Sequence, residues 1–387
     1  MKLLVFLFFI LGSLEFSTAT SYSQPIRRAG SLREKLLKNG KYQEFLIYQN
    51  RLNSGSQPLL DYSDDYYLLD VSFGSPPQTF KLSLDTASSF LWVLDVNCNS
   101  KDCIGKQDRY NNSDSTTFRN GSGTFVAQFD GQPVTGYLAK EKVDFGAGLI
   151  LQNQDFGSAK VVPQLFLEQP IEGVIGFGFP AMAVNKTKTP LQALMPKLDR
   201  QLFTIWMDKR IGNVNGESHG LITYGALDTV HCDANVHYVP LATKSYWGIY
   251  LDKFSVKTFT RQQKEMAISD TGSGWIGAPN VVVSAIVQAT GAKFDWNLEL
   301  YTVPCSQIKT QPVLHFTING IDYAVNSVEY VLNLNLDNGQ CALTFFGMVG
   351  SGFGPSWVLG DTFIRSFCHI YDYGNQRIGL ANAHHTF

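Results

Sequence analysis

The chain has 387 residues, enough for about two domains of ordinary size. Apolar residues make up 44% and charged residues only 17%, which excludes a disordered chain and allows a large core. The net charge of −2 is unevenly spread, with +5 on residues 1–52 and −7 on the rest.

Residues 1–19 read as a secretory signal. Lys2 is followed by an unbroken apolar run over 3–11, and Ser17-Thr18-Ala19 has the small residues of a cleavage site. A membrane anchor needs about 20 apolar residues, whereas this run stops at Gly12-Ser13. Nothing later is long and apolar enough for a membrane anchor. Residues 20–57 read as a basic pro-segment. Ser31 caps a short helix with Glu34 at its third position, Leu32, Leu36 and Leu37 form its apolar face, and Asn39-Gly40 ends it. A basic leader can serve as a nucleic-acid arm. In a secreted chain it is better read as a segment held on an acidic body by charge, so no nucleic-acid partner is expected.

Beyond residue 61, short apolar runs broken by Gly, Pro and Asn predict an all-β protein. A strand over 66–73 turns at Gly74-Ser75-Pro76-Pro77 into a second, over 79–84, which ends at Asp85. Residues 110–124 read as surface loop, and 125–146 as a hairpin turning at Asp130-Gly131. Helical signals are confined to 189–195 and 281–290. A strand over 202–207 precedes the join, near 209–216, of two halves, 58–211 and 212–387.

Six cysteines in a secreted chain can all pair. Cys98 and Cys103 bracket a short polar loop able to close on itself. Cys305 and Cys341 flank alternating strands, and Cys232 and Cys368 are left for each other. No Cys-x-x-Cys or His cluster supports a metal site, and no cofactor is expected. His384-His385 reads as a solvated tail. Asn111, Asn120 and Asn185 head Asn-x-Ser/Thr glycan sequons.

One pattern occurs twice. Ser83-Leu84-Asp85-Thr86-Ala87-Ser88-Ser89 is echoed by Ile268-Ser269-Asp270-Thr271-Gly272-Ser273-Gly274. Gly176, within 173–178, follows Asp85 by 91 residues, and Gly360, within 357–361, follows Asp270 by 90. Two features repeated in order at matched spacing indicate a duplicated domain, each half bringing one Asp to a shared site. Taken singly, each Asp-Thr is an ordinary turn or cap. Taken together, two carboxylates in contact cannot both ionise easily, so one proton is shared. The ionised member can take a proton from water while the other hydrogen-bonds to a carbonyl, which is general acid–base hydrolysis of an amide. Thr86, Ser88, Thr271 and Ser273 can brace the pair. A glycosidase also needs two carboxylates but has no use for repeated Asp-Thr-small-Ser loops. There is no nucleophile-elbow serine, and 173–178 lacks the Lys-Ser/Thr of a phosphate loop.

At these residues the chain resembles the pepsin-like aspartic proteases, over nearly its whole length. The resemblance rests on Asp85-Thr86 followed by Leu91-Trp92, on Asp270-Thr271-Gly272-Ser273, on the paired Gly stretches, on Tyr246-Trp247 and on residues 371–379. It implies two β-lobes around a deep cleft, catalytic Asp85 and Asp270, and a hairpin flap over an extended peptide or protein substrate. It also implies a monomeric zymogen, working in acid, that is secreted or sent to a lysosomal or digestive compartment. The Cys98–Cys103 and Cys305–Cys341 pairings match the family, and the basic leader resembles its inhibitory pro-segment. Three departures stand out. Ala87 replaces the family's Gly, and Phe129 and Asp130 replace the flap's Tyr and Gly, so Phe129 brings no hydroxyl towards Trp92. No Lys lies between Lys41 and Lys81 to meet the Asp pair, so Arg51 or another group must serve. Ala87, Phe129 and Asp130 motivate an alternative, a catalytically impaired relative that binds peptides or proteins in its cleft.

Overall fold

The computed structural model describes residues 21–52, 65–106, 108–129, 131–146, 148–208, 218–336, 338–348 and 354–385, with only the backbone of 48–52, 65, 218 and 219. The expected signal at 1–19, the join at 209–216, Asp130 and the Arg51 side chain lie outside that description.

Strands dominate, in sheets of thirteen, eight and four. The large sheet contains β1 (Tyr22–Ser31), β2 (Asp65–Phe73), β3 (Gln78–Asp85), β4 (Leu91–Leu94), β5 (Arg119–Phe129), β6 (Gln132–Asp144), β7 (Ile150–Val161) and β8 (Gly173–Gly176). Strands Leu202–Met207, Ser218–Tyr224, His237–Pro240, Phe367–Asp372 and Arg377–Asn382 complete it. The end of the chain thus returns to the sheet in which the described chain begins. The eight-stranded sheet forms the body of the second lobe, so the architecture is all-β with two lobes, as expected.

Alternation explains why β3 is a strand. Phe80, Leu82 and Leu84 point inward and are buried, while Thr79 and Lys81 are not. Each such burial stabilises the fold by roughly 2 kcal/mol. The flap hairpin starts earlier than expected, because β5 already pairs at Arg119–Asn120 and then shifts register before Thr124. This bulge absorbs polar residues that read as loop. A Cβ at Gly121 would stand 2.5 Å from the Leu138 carbonyl oxygen, so the close approach needs glycine.

The duplication is visible in the backbone. β3 runs parallel to β8, which is antiparallel to β4. In the second lobe Glu265–Ser269 runs parallel to Trp357–Leu359, which is antiparallel to Ile276–Pro279. The two glycines lie at equivalent close approaches. A Cβ on Gly176 would stand 2.5 Å from the Phe90 nitrogen, and one on Gly360 would stand 2.2 Å from the Trp275 carbonyl oxygen.

The basic leader is part of the folded body. β1 pairs with β2 and with Ser218–Tyr224. It is followed by α1 (Leu32–Lys38), whose N-terminal Glu34 N–H is capped by the Ser31 hydroxyl at 3.1 Å, and by α2 (Tyr42–Leu52). Sequence periodicity had not marked β1 or α2. The helices bury Leu32, Leu36, Tyr42, Phe45 and Leu46 in one cluster with Phe90, Trp92, Phe129 and Phe166. The three disulfides expected from the cysteine positions, Cys98–Cys103, Cys232–Cys368 and Cys305–Cys341, are formed. Of the C-terminal histidines, His384 stays exposed as expected of a solvated tail, whereas His385 is largely covered. His385 Nδ1 lies 3.2 Å from Asp208, His384 Nε2 lies 2.5 Å from Asp233, and the Trp206 indole N–H donates to the His384 carbonyl. No described helix is long and apolar enough to cross a membrane.

Candidate active site

Asp85 ends β3 and Asp270 follows the strand Glu265–Ser269, so the two parallel pairings deliver both carboxyls to the interface of the lobes. The loops are tied across that interface. The Thr86 N–H donates to Thr271 Oγ1 at 3.1 Å, and the Thr271 N–H donates to Thr86 Oγ1 at 3.0 Å. Each hydroxyl then donates onward, Thr86 to the Ser269 carbonyl at 2.9 Å and Thr271 to the Leu84 carbonyl at 2.8 Å. Both threonines are buried. Four bonds in a closed exchange fix the spacing of two residues 185 apart in sequence.

The carboxylates are held from their own loops. Asp85 Oδ1 accepts from the Ala87 N–H at 2.7 Å and the Ser88 N–H at 2.9 Å, while Asp270 Oδ1 accepts from the Gly272 N–H at 2.9 Å. The Ser88 hydroxyl favours the charged form of Asp85 but makes no hydrogen bond of good geometry. The Ser273 hydroxyl turns away and donates to the Trp275 carbonyl at 3.2 Å. Bracing is thus done mainly by backbone N–H groups and the threonines. Burial raises both carboxyls above their usual range. For Asp270 the neighbouring Asp85 charge adds to the rise, with only the Gly272 N–H opposing it, whereas Asp85 has two backbone donors against the burial.

Phe129 ends β5 and is buried in an aromatic cluster. Its ring meets Trp92 edge to face with centroids 5.8 Å apart, and Phe166 at 6.1 Å. Each such aromatic pair is worth about 0.5–1.5 kcal/mol beyond area burial. The described turn residue Gly131 has φ of 69°, a conformation that favours glycine.

The leader covers the same region and touches both lobes. Lys41 Nζ meets Glu168 Oε1 at 2.5 Å and Lys35 Nζ lies 3.5 Å from Glu168 Oε2. Across the gap, the Tyr42 hydroxyl donates to the Leu298 carbonyl at 2.8 Å, and Asn335 Nδ2 donates to Glu34 at 2.6 Å. Buried Arg33 places its guanidinium 4.4 Å from the Trp275 ring centroid, and this is the described leader cation beside the second Asp-Thr stretch. Its signal in sequence was only one more positive charge in a basic segment. Among the sequons, Asn120 and Asn185 are exposed and Asn111 is half-buried. The described residues contain no group of three potential metal ligands.

A family model described as eukaryotic aspartyl protease matches residues 66–383. The chain is 46% identical to aspartic protease 1 of Caenorhabditis elegans, over 98% of each chain. It is 31% identical to pepsin A of Suncus murinus, over 93% of this chain and 95% of the other. It is 31% identical to cathepsin E of Cavia porcellus, over 99% of this chain and 100% of the other.

Proposed function

The chain belongs to the eukaryotic aspartyl protease family, and we propose that it is made as a secreted zymogen that hydrolyses peptide bonds in acid through Asp85 and Asp270. The observation that carries this reading is the reciprocal Thr86–Thr271 bridge, which holds the two Asp loops against each other. Asp85, with two backbone donors, is the ionised member and takes a proton from water. Asp270, raised by burial and by the Asp85 charge, keeps its proton and donates to the scissile carbonyl. Water adds to the carbonyl carbon, and as the tetrahedral intermediate collapses Asp85 passes the water's proton to the leaving nitrogen while a gem-diol hydroxyl returns one to Asp270, with no covalent bond to the enzyme.

Inhibition comes from the leader. α1 and α2 bury their apolar faces against Trp92 and Phe129 and reach Leu298 and Asn335 of the second lobe, so an extended substrate has no access. Acid weakens the lysine pairs on Glu168 by protonating it, and the leader is released. The mature enzyme acts as a monomer on peptides or proteins in a secreted or lysosomal compartment.

The test is to express residues 20–387, acidify, and follow cleavage of a denatured protein. Cleavage that disappears in Asp85→Asn and in Asp270→Asn supports the reading. Tight peptide binding without turnover would overturn it in favour of a cleft that only binds.

A further inference from the structure

Behind the threonine bridge lies a second polar cluster that the dyad chemistry does not use. Ser269 immediately precedes Asp270. Its carbonyl accepts from the Thr86 hydroxyl, and its own hydroxyl lies 2.8 Å from His369 Nδ1 and 2.8 Å from the Tyr371 hydroxyl. The Tyr371 hydroxyl is also close enough to feel the Asp270 charge. All three side chains are buried, and among the described residues His369 Nε2 has no hydrogen-bond partner. Burying a serine, a histidine and a tyrosine in a strand core is costly unless they satisfy one another. Apolar residues would fill the same space at no such cost. The cluster is also walled by rings, Phe203 stacked on Tyr371 at 4.6 Å, Trp247 at 5.1 Å, and Phe363 5.8 Å from His369. The charged groups that reach it are Asp270 and Asp361, both felt at Tyr371.

From this geometry we infer that Ser269, His369 and Tyr371 are positioning residues for the proposed reaction: they hold the Thr86 end of the threonine bridge, and through it the separation of Asp85 from Asp270. The inference rests on the dyad reading above. Ser269 is the shared member, because one residue bonds Thr86 through its carbonyl and the His–Tyr pair through its hydroxyl. Burial holds the His369 imidazole down to about 3, so it enters the cluster neutral. A neutral ring with one nitrogen on Ser269 orients that hydroxyl without placing a charge behind the carboxyls. Tyr371 holds the same Ser269 hydroxyl from a second side, so the cluster fixes the residue whose carbonyl receives Thr86.

The experiment uses the full chain activated in acid and compares kcat, KM and pH–rate profiles on one peptide. Tyr371→Phe removes a single hydroxyl at constant shape, and Ser269→Ala removes the shared one. Each is expected to lower kcat about tenfold with KM unchanged, since a small misplacement of reacting groups costs this much. Each is also expected to move the alkaline limb of the profile upward, because losing polar groups near the buried Asp270 raises its pKa. His369→Leu should behave likewise, and His369→Asn, which keeps a polar atom near Nδ1, should recover most of the rate. Wild-type kcat and profile in Tyr371→Phe and Ser269→Ala would overturn the inference. So would a rate loss that matches a lower folded fraction while the profile stays put. If His369→Leu fails to fold, Tyr371→Phe decides. A wild-type chain without proteolysis overturns the dyad reading and this inference together, whereas an active wild type with indifferent variants overturns this inference alone.

Discussion

Gly272 lies so close to Asp85 that a Cβ added to it would stand 3.0 Å from the Asp85 carboxyl carbon and 3.2 Å from Asp270 Oδ1. The corresponding position of the first loop carries Ala87, a residue with a Cβ, and its N–H still bonds Asp85 at 2.7 Å. The two half-sites are therefore unequal. The first has accommodated a methyl, and the second keeps its space open.

The inequality predicts unequal mutational effects. Gly272→Ala pushes on the carboxyls themselves and should lower kcat by about 10- to 100-fold, with little change in thermal stability. Ala87→Gly should leave kcat within a few-fold of wild type. Steady-state kinetics on the activated chain check both, and equal effects at the two positions would contradict the asymmetry.

Release of the leader should follow Glu168. Its hydrogen bond to Lys41, opposed by partial burial and helped by Lys35, holds this carboxyl below its usual range in the closed chain. A depressed folded-state pKa contributes stability that is present above the ordinary carboxylate pKa and is lost as pH falls through the depressed value. Glu168→Gln removes that contribution at every pH, so conversion to the active form should begin at higher pH than in wild type. The rate of leader loss across a pH series measures this.

The disulfides should differ in weight. Cys232–Cys368 spans 136 residues and Cys98–Cys103 spans 5. Loop-closure entropy then predicts a loss of about 5 kcal/mol for removing the first and about 2 kcal/mol for the second. Denaturant unfolding of the double serine variants gives the comparison, and a larger loss at the short loop would contradict it.

Much of this was legible in the sequence because it is local. The Asp-Thr stretches, their spaced glycines and the Ser31 cap are each written within a few residues, and the three pairings expected from the cysteine positions together with the family resemblance are formed. What was not legible depends on distant partners. β1 contains Pro25, Arg27 and Arg28 and has no clean alternation. It is a strand because Tyr224 and Leu68 lie opposite it. The Ser269–His369 contact joins residues 100 apart, and nothing in either strand's own pattern announces it. The expectation that Ser273 braces a carboxyl treated hydroxyl content as contact, whereas the chain turns that hydroxyl to the Trp275 carbonyl. The polarity of His384-His385 predicts an exposed tail, which holds for His384, whereas the covering of His385 depends on the distant Asp208.

The central claim is that Asp85 and Asp270 share one proton while the reaction runs. The pH dependence of kcat/KM for the activated chain tests it most directly. The account predicts a bell, falling on the acid side as Asp85 is protonated and the base is lost, and on the alkaline side as Asp270 loses the proton that burial and Asp85 help it keep. Asp85→Asn and Asp270→Asn should each lower the peak by at least about 10²- to 10⁴-fold. A rate that keeps rising with pH after both carboxyls have ionised, or an Asn variant with wild-type rates, would contradict it.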